Sequence, residues 1–381
     1  MSSINHLYIH YPFCSSKCNY CGFYSIENHE LSNKYLLALE NELKYYFNMY
    51  KNFEIETIYI GGGNPSLNPE NLKEINKIIN LFFTLNSIKE YTVECNPLNV
   101  TKNFIEILKE ISCNRVSLGI QSFTEKTLKY ANRLGQTNET VFNALSLLNK
   151  EKISISIDLI NGLPYADFDK EFYYLEKLLG EFENVNHISL YDLSIDKGSK
   201  FYDYKNLKML SESKKDKYEK QFRKIIDKFG FKRYEVSNYC KKNKMSLHNL
   251  GYWKYNNYLG LGPSAHSTID NLRMENKPEL DKYILGIDFT DKYVLNKKQQ
   301  IEEYLLMGLR LTEGINLNNF FNRFNLDFFT VFKMSLEKNI RLKNLVIKNN
   351  YLHTTNRGIN FLNSILVDLF DDLDSLVEYG Y

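Results

Sequence analysis

The chain has 381 residues and a mass of about 45 kDa, enough for two or three domains built around a sizeable core. Its 48 basic and 46 acidic side chains nearly cancel to a formal +2, which argues against nucleic-acid binding through phosphate contacts. No run approaches about 18 uninterrupted apolar residues, and MSSINHLYIHYPF lacks the basic-then-apolar order of a secretory signal, so a soluble, cytoplasmic protein with no stable membrane insertion is expected.

From the start to about residue 195, short β-branched runs alternate with helical patterns. The runs are His6–Tyr11, Thr57–Ile60, Tyr91–Glu94, Arg115–Ile120, Ile153–Leu159 and His187–Leu193. Between them, Lys34–Tyr50 places Leu36, Leu39, Leu43, Phe47 and Tyr50 on one helical face. Asn71–Phe82, Thr101–Ile111, Asn138–Leu148 and Asp169–Leu179 show the same period. Six strands alternating with helices predict right-handed βαβ units and a parallel sheet. A stretch of roughly 190 residues suits a partial (β/α)6 barrel, since a full eight-unit barrel needs about 250. Chemistry in such an α/β fold gathers at the C-terminal ends of the strands, so the residues after each run carry the information.

Residues 200–230 form a Lys-rich helical stretch that stops at Gly230, and the charge run reads as a solvated face. Residues 231–270 are aromatic and loop-rich, and a linker is expected near 285–297. Gln299–Leu311 opens a mainly helical tail. Within it, Leu345–Thr355 reads as two short strands around Asn349 and Asn350, followed by a helix from Asn360 to Phe370. Helices followed by a small hairpin suggest a winged-helix-like C-terminal domain, without the basic excess that DNA binding would need.

Three of the six cysteines, Cys14, Cys18 and Cys21, lie within eight residues immediately after the first strand. A secreted disulfide framework would be shorter and denser in cysteine, so a metal site in a reducing compartment is the better reading. Three thiolates can ligate three irons of a [4Fe-4S] cubane and leave the fourth iron open. That open iron can take the amino and carboxylate groups of S-adenosylmethionine, whose sulfonium bond one-electron reduction can break. Structural zinc is the alternative, but closed zinc sites need four ligands, usually in two pairs. A second pair is missing, although His10 or a distant cysteine can supply a fourth ligand. Cys95, Cys113 and Cys240 read as small core residues.

The segment Tyr8-Ile-His-Tyr-Pro-Phe-Cys14, followed by CxxxCxxC, resembles the start of the radical S-adenosylmethionine superfamily, in the branch of oxygen-independent coproporphyrinogen oxidases and heme chaperones. The likeness continues through Gly61-Gly-Gly-Asn-Pro65, Glu94-Cys-Asn-Pro97, Asn114-Arg-Val-Ser-Leu-Gly-Ile-Gln-Ser-Phe123, Asp158-Leu-Ile-Asn-Gly-Leu-Pro164 and His187-Ile-Ser-Leu-Tyr191. It resumes at Tyr234-Glu-Val-Ser-Asn238, His248-Asn-Leu-Gly-Tyr-Trp253 and Tyr258-Leu-Gly-Leu-Gly262. The resemblance implies a radical S-adenosylmethionine barrel core over 1–200, an extension over 201–290 and a C-terminal helical domain over 291–381. It also implies that Gly62, Gly63 and Asn64 meet the methionyl amine. Glu94 would meet the ribose or methionyl end, while Gln121, Arg133 and Asp158 occupy the following strand ends and helix. A guanidinium can grip the ligand carboxylate bidentately, and a carboxylate can hold ribose hydroxyls. Tyr8 and Tyr20 flank the cluster. Asn64 departs from the usual Thr but keeps a short side chain that donates and accepts.

Two functions of different classes follow from the resemblance. One is radical decarboxylation of coproporphyrinogen; the other is a heme chaperone that keeps the cluster and the S-adenosylmethionine site but hands heme to an acceptor protein the sequence does not identify. Three features favour the chaperone. The oxidases carry a further cysteine where this chain has Phe23. They also have several dozen residues before the first strand, whereas this chain reaches Tyr8 almost at once. Finally, His248-Asn-Leu-Gly-Tyr-Trp253 matches the HNxxYW motif associated with heme in the chaperone branch. A neutral imidazole ligates heme iron well, and Tyr252 and Trp253 can pack on a flat macrocycle. His10 and His266 are competing ligands, and a monomer and a homodimer are both open.

Overall fold

The computed structural model describes residues 3–286 and 290–378. Six strands lie side by side in chain order and all run parallel: β1 (Ile4–Tyr11), β2 (Phe53–Gly62), β3 (Glu90–Cys95), β4 (Arg115–Gln121), β5 (Ser154–Asn161) and β6 (Val185–Asp192). Their crossovers are helices α1 (Ser32–Met49), α2 (Pro69–Asn80), α3 (Lys102–Glu110), α4 (Glu125–Tyr130), α5 (Asn138–Lys150) and α6 (Phe168–Glu181). All six expected strands and five expected helices are present. Helix α4 has six residues, too few to show a 3.6-residue period, and the sequence reading did not anticipate it.

The strands alternate strictly between two environments, as a pleat requires. Leu7, Ile9, Ile58, Ile60, Val93, Val116, Leu118, Ile155, Ile157 and Ile188 are buried in one cluster with Leu39, Ile75 and Leu108 from the helices. Each contributes about 1.5–3 kcal/mol by leaving water. The intervening positions are largely polar and face the other way: His6, Tyr8 and His10 on β1, Thr57 and Tyr59 on β2, Thr92 and Glu94 on β3. Ser117 and Gln121 continue the series on β4, Ser156 and Asp158 on β5, and His187, Ser189 and Tyr191 on β6. A sheet with helices over one face and polar groups on the other is a barrel wall whose interior receives ligands.

Both edges of this core are extended. After α7 (Glu212–Lys228), β7 (Lys232–Arg233) and β8 (Asn238–Cys240) add antiparallel beyond β6. Helix α8 (Leu247–Trp253) follows, and β9 (Tyr258–Leu261) then pairs parallel with β1 on the opposite side. Strands β10 (His266–Ile269), β11 (Leu272–Asn276) and β12 (Thr290–Val294) continue outward from β9, with α9 (Leu280–Leu285) between the last two. Among the described residues the sheet runs open from β12 to β7, as an incomplete barrel requires. Residues 231–270 are loop-rich as expected, but they also carry α8 and four short strands, β7 to β10. Their strands are two to four residues long, too short for alternation to register. The expected linker near 285–297 is likewise a strand from Thr290 to Val294, while its residues 287–289 lie outside the described residues.

The C-terminal region has its own core, centred on Leu305, Phe320, Phe332, Leu352 and Leu369. It comprises α10 (Lys297–Gly308), β13 (Ile315–Asn316), α11 (Leu317–Phe324), α12 (Phe328–Val331), α13 (Lys333–Arg341), β14 (Leu345–Lys348), β15 (Tyr351–Thr354) and α14 (Leu362–Glu378). The anticipated hairpin around Asn349 and Asn350 is β14–β15, and both asparagines take positive φ (51° and 62°), a conformation asparagine tolerates well. This region packs on the extension: the Arg310 guanidinium lies 4.5 Å from the Trp253 ring centroid, and Glu303 accepts from the Tyr255 hydroxyl at 3.0 Å.

Candidate functional site

The cysteine segment leaves the end of β1 as a loop pinned at its base. The Cys14 N–H donates to the Ile26 carbonyl at 2.9 Å, and the Ile26 N–H donates to the Pro12 carbonyl at 2.8 Å. A turn closed by Cys21 N–H to Cys18 O at 3.1 Å brings the later thiols round. The Asn19 side chain then ties the loop to the Tyr130 carbonyl at 2.8 Å, and the Asn132 side chain to the Lys17 carbonyl at 3.0 Å. Cys14, Cys18 and Cys21 thereby line one cavity of about 630 Å³ at the C-terminal ends of the parallel strands.

The chemistry of this donor set suits a cluster. Burial, reinforced by Cys21 and Cys18, pushes the Cys14 thiol up to about 12, and burial also raises Cys21. Crowded thiols hold their protons unless a cationic metal centre displaces them. Among the described residues, no group of three or more His, Cys, Asp and Glu side chains forms a site for one metal ion. Three thiols lining one cavity can each give a thiolate to one iron of a polynuclear centre.

The same cavity is lined by Tyr20, Gly62, Gly63, Asn64, Glu94, Gln121, Arg133 and Asp158, so every expected S-adenosylmethionine residue except Tyr8 is brought to it. The glycine loop owes its composition to protein packing as well as to ligand access. A Cβ at Gly61 would stand 2.7 Å from the Glu94 carboxyl carbon; one at Gly62 would stand 2.5 Å from the His10 ring. Gly62 also has φ +104°, a region L side chains rarely enter. Glu94 bridges this loop to β2, accepting from the Tyr59 hydroxyl at 2.8 Å and the Gly62 N–H at 3.0 Å. Burial raises its carboxyl to about 7, against the lowering effect of those two bonds. Asp158 accepts from the Ser117 hydroxyl at 2.8 Å and is raised by burial. Gln121 ends β4 with φ 68°, a left-handed backbone held at a strand terminus.

Arg133 and Asn64 are engaged within the protein. The Arg133 guanidinium donates to the Gln136 side chain at 2.9 Å, to the Tyr20 hydroxyl at 3.2 Å and to the Gly119 carbonyl, with one nitrogen 3.8 Å from the Cys18 sulfur. It thus braces the cysteine loop against β4. Asn64 donates to Asn99 at 2.8 Å and accepts from Ser66 at 2.6 Å.

Tyr8, His248, Tyr252 and Trp253 line a second cavity, of about 580 Å³. Its walls include further aromatic rings (Tyr24, Tyr59, Tyr255, Tyr258), together with His10 and His266. The two cavities share Gly22, Phe23, Tyr59 and Glu94, so they meet at a common wall. Phe23 stands at that junction with 64 % of its surface exposed. His248 is 1 % exposed, and burial holds its imidazole neutral, well below the ordinary range. Both its nitrogens have partners: Nδ1 lies 2.7 Å from the Thr57 hydroxyl and Nε2 2.8 Å from the Tyr252 hydroxyl. His10 is placed similarly, with Nε2 2.8 Å from the Tyr24 carbonyl and Nδ1 3.2 Å from the Tyr8 hydroxyl.

Two contributors escaped the sequence reading. Tyr59 pairs in register with Tyr8 and forms the wall between the cavities. Its signal was present, since Thr57, Tyr59 and Gly61 are the non-aliphatic half of an alternating strand. Glu90 begins β3 and is 6 % exposed. Its carboxylate accepts from the N–H groups of Leu247 and His248, each at 2.9 Å, and from the Ser246 hydroxyl at 3.2 Å. It therefore anchors the start of α8, the helix that carries His248, Tyr252 and Trp253. Nothing in sequence separates it from a surface glutamate, because its partner lies 156 residues away.

Comparisons with known proteins agree with this architecture. The radical SAM superfamily profile matches residues 8–173, and the HemN C-terminal domain matches residues 295–361. The heme chaperone HemW of Buchnera aphidicola (subsp. Acyrthosiphon pisum) is 33% identical over 389 residues, covering 94% of this chain and 96% of that protein. The heme chaperone HemW of Bacillus subtilis is 31% identical over 331 residues, covering 83% and 86%. Among solved structures, coproporphyrinogen III oxidase (HemN) from Escherichia coli superposes with a TM-score of 0.82 over 96% of this chain and 90% of that one, at 20% identity, a likeness of fold. With near-complete coverage at this identity, and with that fold, the chain belongs to the HemW family of the radical S-adenosylmethionine superfamily.

Proposed function

We propose that this protein is a cytoplasmic heme chaperone: it binds heme in the aromatic cavity and passes it to an acceptor protein, with a [4Fe-4S] cluster and S-adenosylmethionine held in the adjoining cavity. The observation that carries the reading is the pair of cavities meeting at Tyr59 and Glu94, one lined by three cysteines and the other by aromatic side chains. Apolar and aromatic walls with a few polar groups are the usual chemistry of a large flat ligand's site. The chaperone names of the relatives point the same way.

Cys14, Cys18 and Cys21 would hold the cluster, while Gly62, Gly63, Asn64, Glu94, Gln121, Arg133 and Asp158 surround S-adenosylmethionine, with Tyr8 and Tyr20 on either side. When bound, the pair supplies one-electron chemistry at the sulfonium carbon–sulfur bond. The chain's own residues set the stage for it. Arg133 fixes the cysteine loop through Tyr20 and Gly119, and Asp158 offers a buried acceptor to hydroxyl groups. Glu94, raised to about 7, holds or releases a proton near neutrality at the wall between the sites. Residues 1–200 would form the ligand-binding core, 201–290 the extension that completes the heme cavity, and 291–381 a helical domain bracing it.

Decarboxylation of coproporphyrinogen is the second reading. The shared wall favours it, because a tetrapyrrole in the aromatic cavity would adjoin the S-adenosylmethionine residues. Trp253 separates heme uptake from its absence, since it is the only Trp in the chain and lines the cavity. Titration of the reconstituted protein with heme is expected to quench its fluorescence with a break at one heme per chain. Unquenched fluorescence at saturating heme would remove the cavity from the proposal.

A further inference from the structure

We propose that His266, and not His248, supplies the axial ligand to heme iron in the aromatic cavity; this rests on the heme-carrier reading above. Ligation needs a neutral imidazole with a free nitrogen lone pair and room for a macrocycle in front of it. His10, His248 and His266 are the histidines that line the cavity. The first two are almost fully buried, and both nitrogens of each are already paired within the protein. For His248 to reach iron it must give up a buried hydrogen bond, either Nε2 to the Tyr252 hydroxyl, which has no other partner among the described residues, or Nδ1 to the Thr57 hydroxyl, which would keep only His6 Nδ1 at 2.8 Å.

His266 has the opposite character. It begins β10 on the cavity wall, its side chain is 60 % exposed, and among the described residues neither ring nitrogen has a hydrogen-bond partner. Antiparallel pairing sets it directly across from Glu275, whose Oε1 lies 3.9 Å from Nε2. A small side-chain rotation makes the carboxylate–imidazole pair that commonly orients a ligating histidine, and leaves the other nitrogen for iron. Tyr252, Trp253 and Tyr258 then form the wall on which the porphyrin face packs. An exposed ligand also suits a carrier, because an acceptor's own ligand can approach the iron and exchange with it at the rim. A buried ligand would close that route.

The test is a heme titration of the reconstituted full-length protein and of the His266→Ala, His266→Met and His248→Asn variants, read by Soret position and by the spin state of the iron. His266→Ala is expected to lose the imidazole-ligated spectrum and bind heme about tenfold more weakly. His266→Met should restore binding with a thioether signature, and His248→Asn, which gives up its bonds to Thr57 and Tyr252 and should bind heme more weakly, should still show imidazole ligation in the heme it binds. Unchanged cluster absorption in each variant shows that the fold persists. A parent spectrum in His266→Ala, or its loss in His248→Asn alone, would overturn the assignment. Failure of the parent protein to take up heme would overturn the carrier reading and this ligand with it.

Discussion

Glu90 offers the sharpest test of how the extension presents its aromatic residues. Glu90→Ala removes the acceptor for two α8 backbone N–H groups at 2.9 Å and for the Ser246 hydroxyl at 3.2 Å. Hydrogen bonds to a charged group contribute about 1.5–3 kcal/mol each, so the gross loss over three bonds is roughly 4.5–9 kcal/mol. Part is recovered because a helix start can rehydrate from the neighbouring cavity, which leaves a net loss of about 2–4 kcal/mol. Helix α8 has only seven residues and cannot hold itself without that anchor. Its amides should therefore exchange with deuterium about 30- to 900-fold faster, at 1.36 kcal/mol per factor of ten. Heme affinity should fall while the cluster's visible absorption is kept, because Cys14, Cys18 and Cys21 sit on a separate loop. Unchanged α8 exchange together with unchanged heme affinity in Glu90→Ala would refute this role.

Other substitutions probe the remaining parts. Cys14→Ala, Cys18→Ala and Cys21→Ala should each abolish the visible absorption of the reconstituted protein; retention in all three would sink the cluster assignment. Gly62→Ala puts a Cβ 2.5 Å from the His10 ring at φ +104°, and should lower stability by about 2–5 kcal/mol, measurable by denaturant unfolding. Glu42, 1 % exposed and held by Gly262 N–H at 2.9 Å and the Tyr283 hydroxyl at 2.6 Å, is raised by burial from 4.5 to about 7. The folded state therefore binds that proton more tightly than the unfolded chain. Its contribution is full below about pH 4.5 and is lost as pH rises through about 7, a fall of roughly 3 kcal/mol. Glu42→Gln should erase that part of the pH slope, and an identical slope in both proteins would contradict the buried-carboxyl account.

The parallel core was legible because each of its six strands and most of its helices is long enough to show a period. The edges were not: β7 to β10 are two to four residues each, and their sheet positions depend on β1 and β6, more than forty residues away in each case. All fifteen site residues drawn from motifs line one cavity or the other. His248 and Arg133 line the cavities, yet their hydrogen-bond partners are internal. Sequence displays a side chain's chemistry but not which neighbour has already used it. Thr57 and Tyr252 take the nitrogens of His248; Tyr20, Gln136 and Gly119 take the guanidinium of Arg133. Glu90 and Glu42 were invisible for the related reason that a carboxylate caps a distant segment only once the chain has folded.

Anaerobic reconstitution with iron and sulfide, followed by parallel assays of heme uptake and of coproporphyrinogen decarboxylation, tests the central claim most directly. One heme bound per chain, with no decarboxylated product, is the predicted result. Turnover of coproporphyrinogen without stoichiometric heme binding would contradict it, and would make the aromatic cavity a substrate site in a radical enzyme that works with Phe23 at the cavity junction.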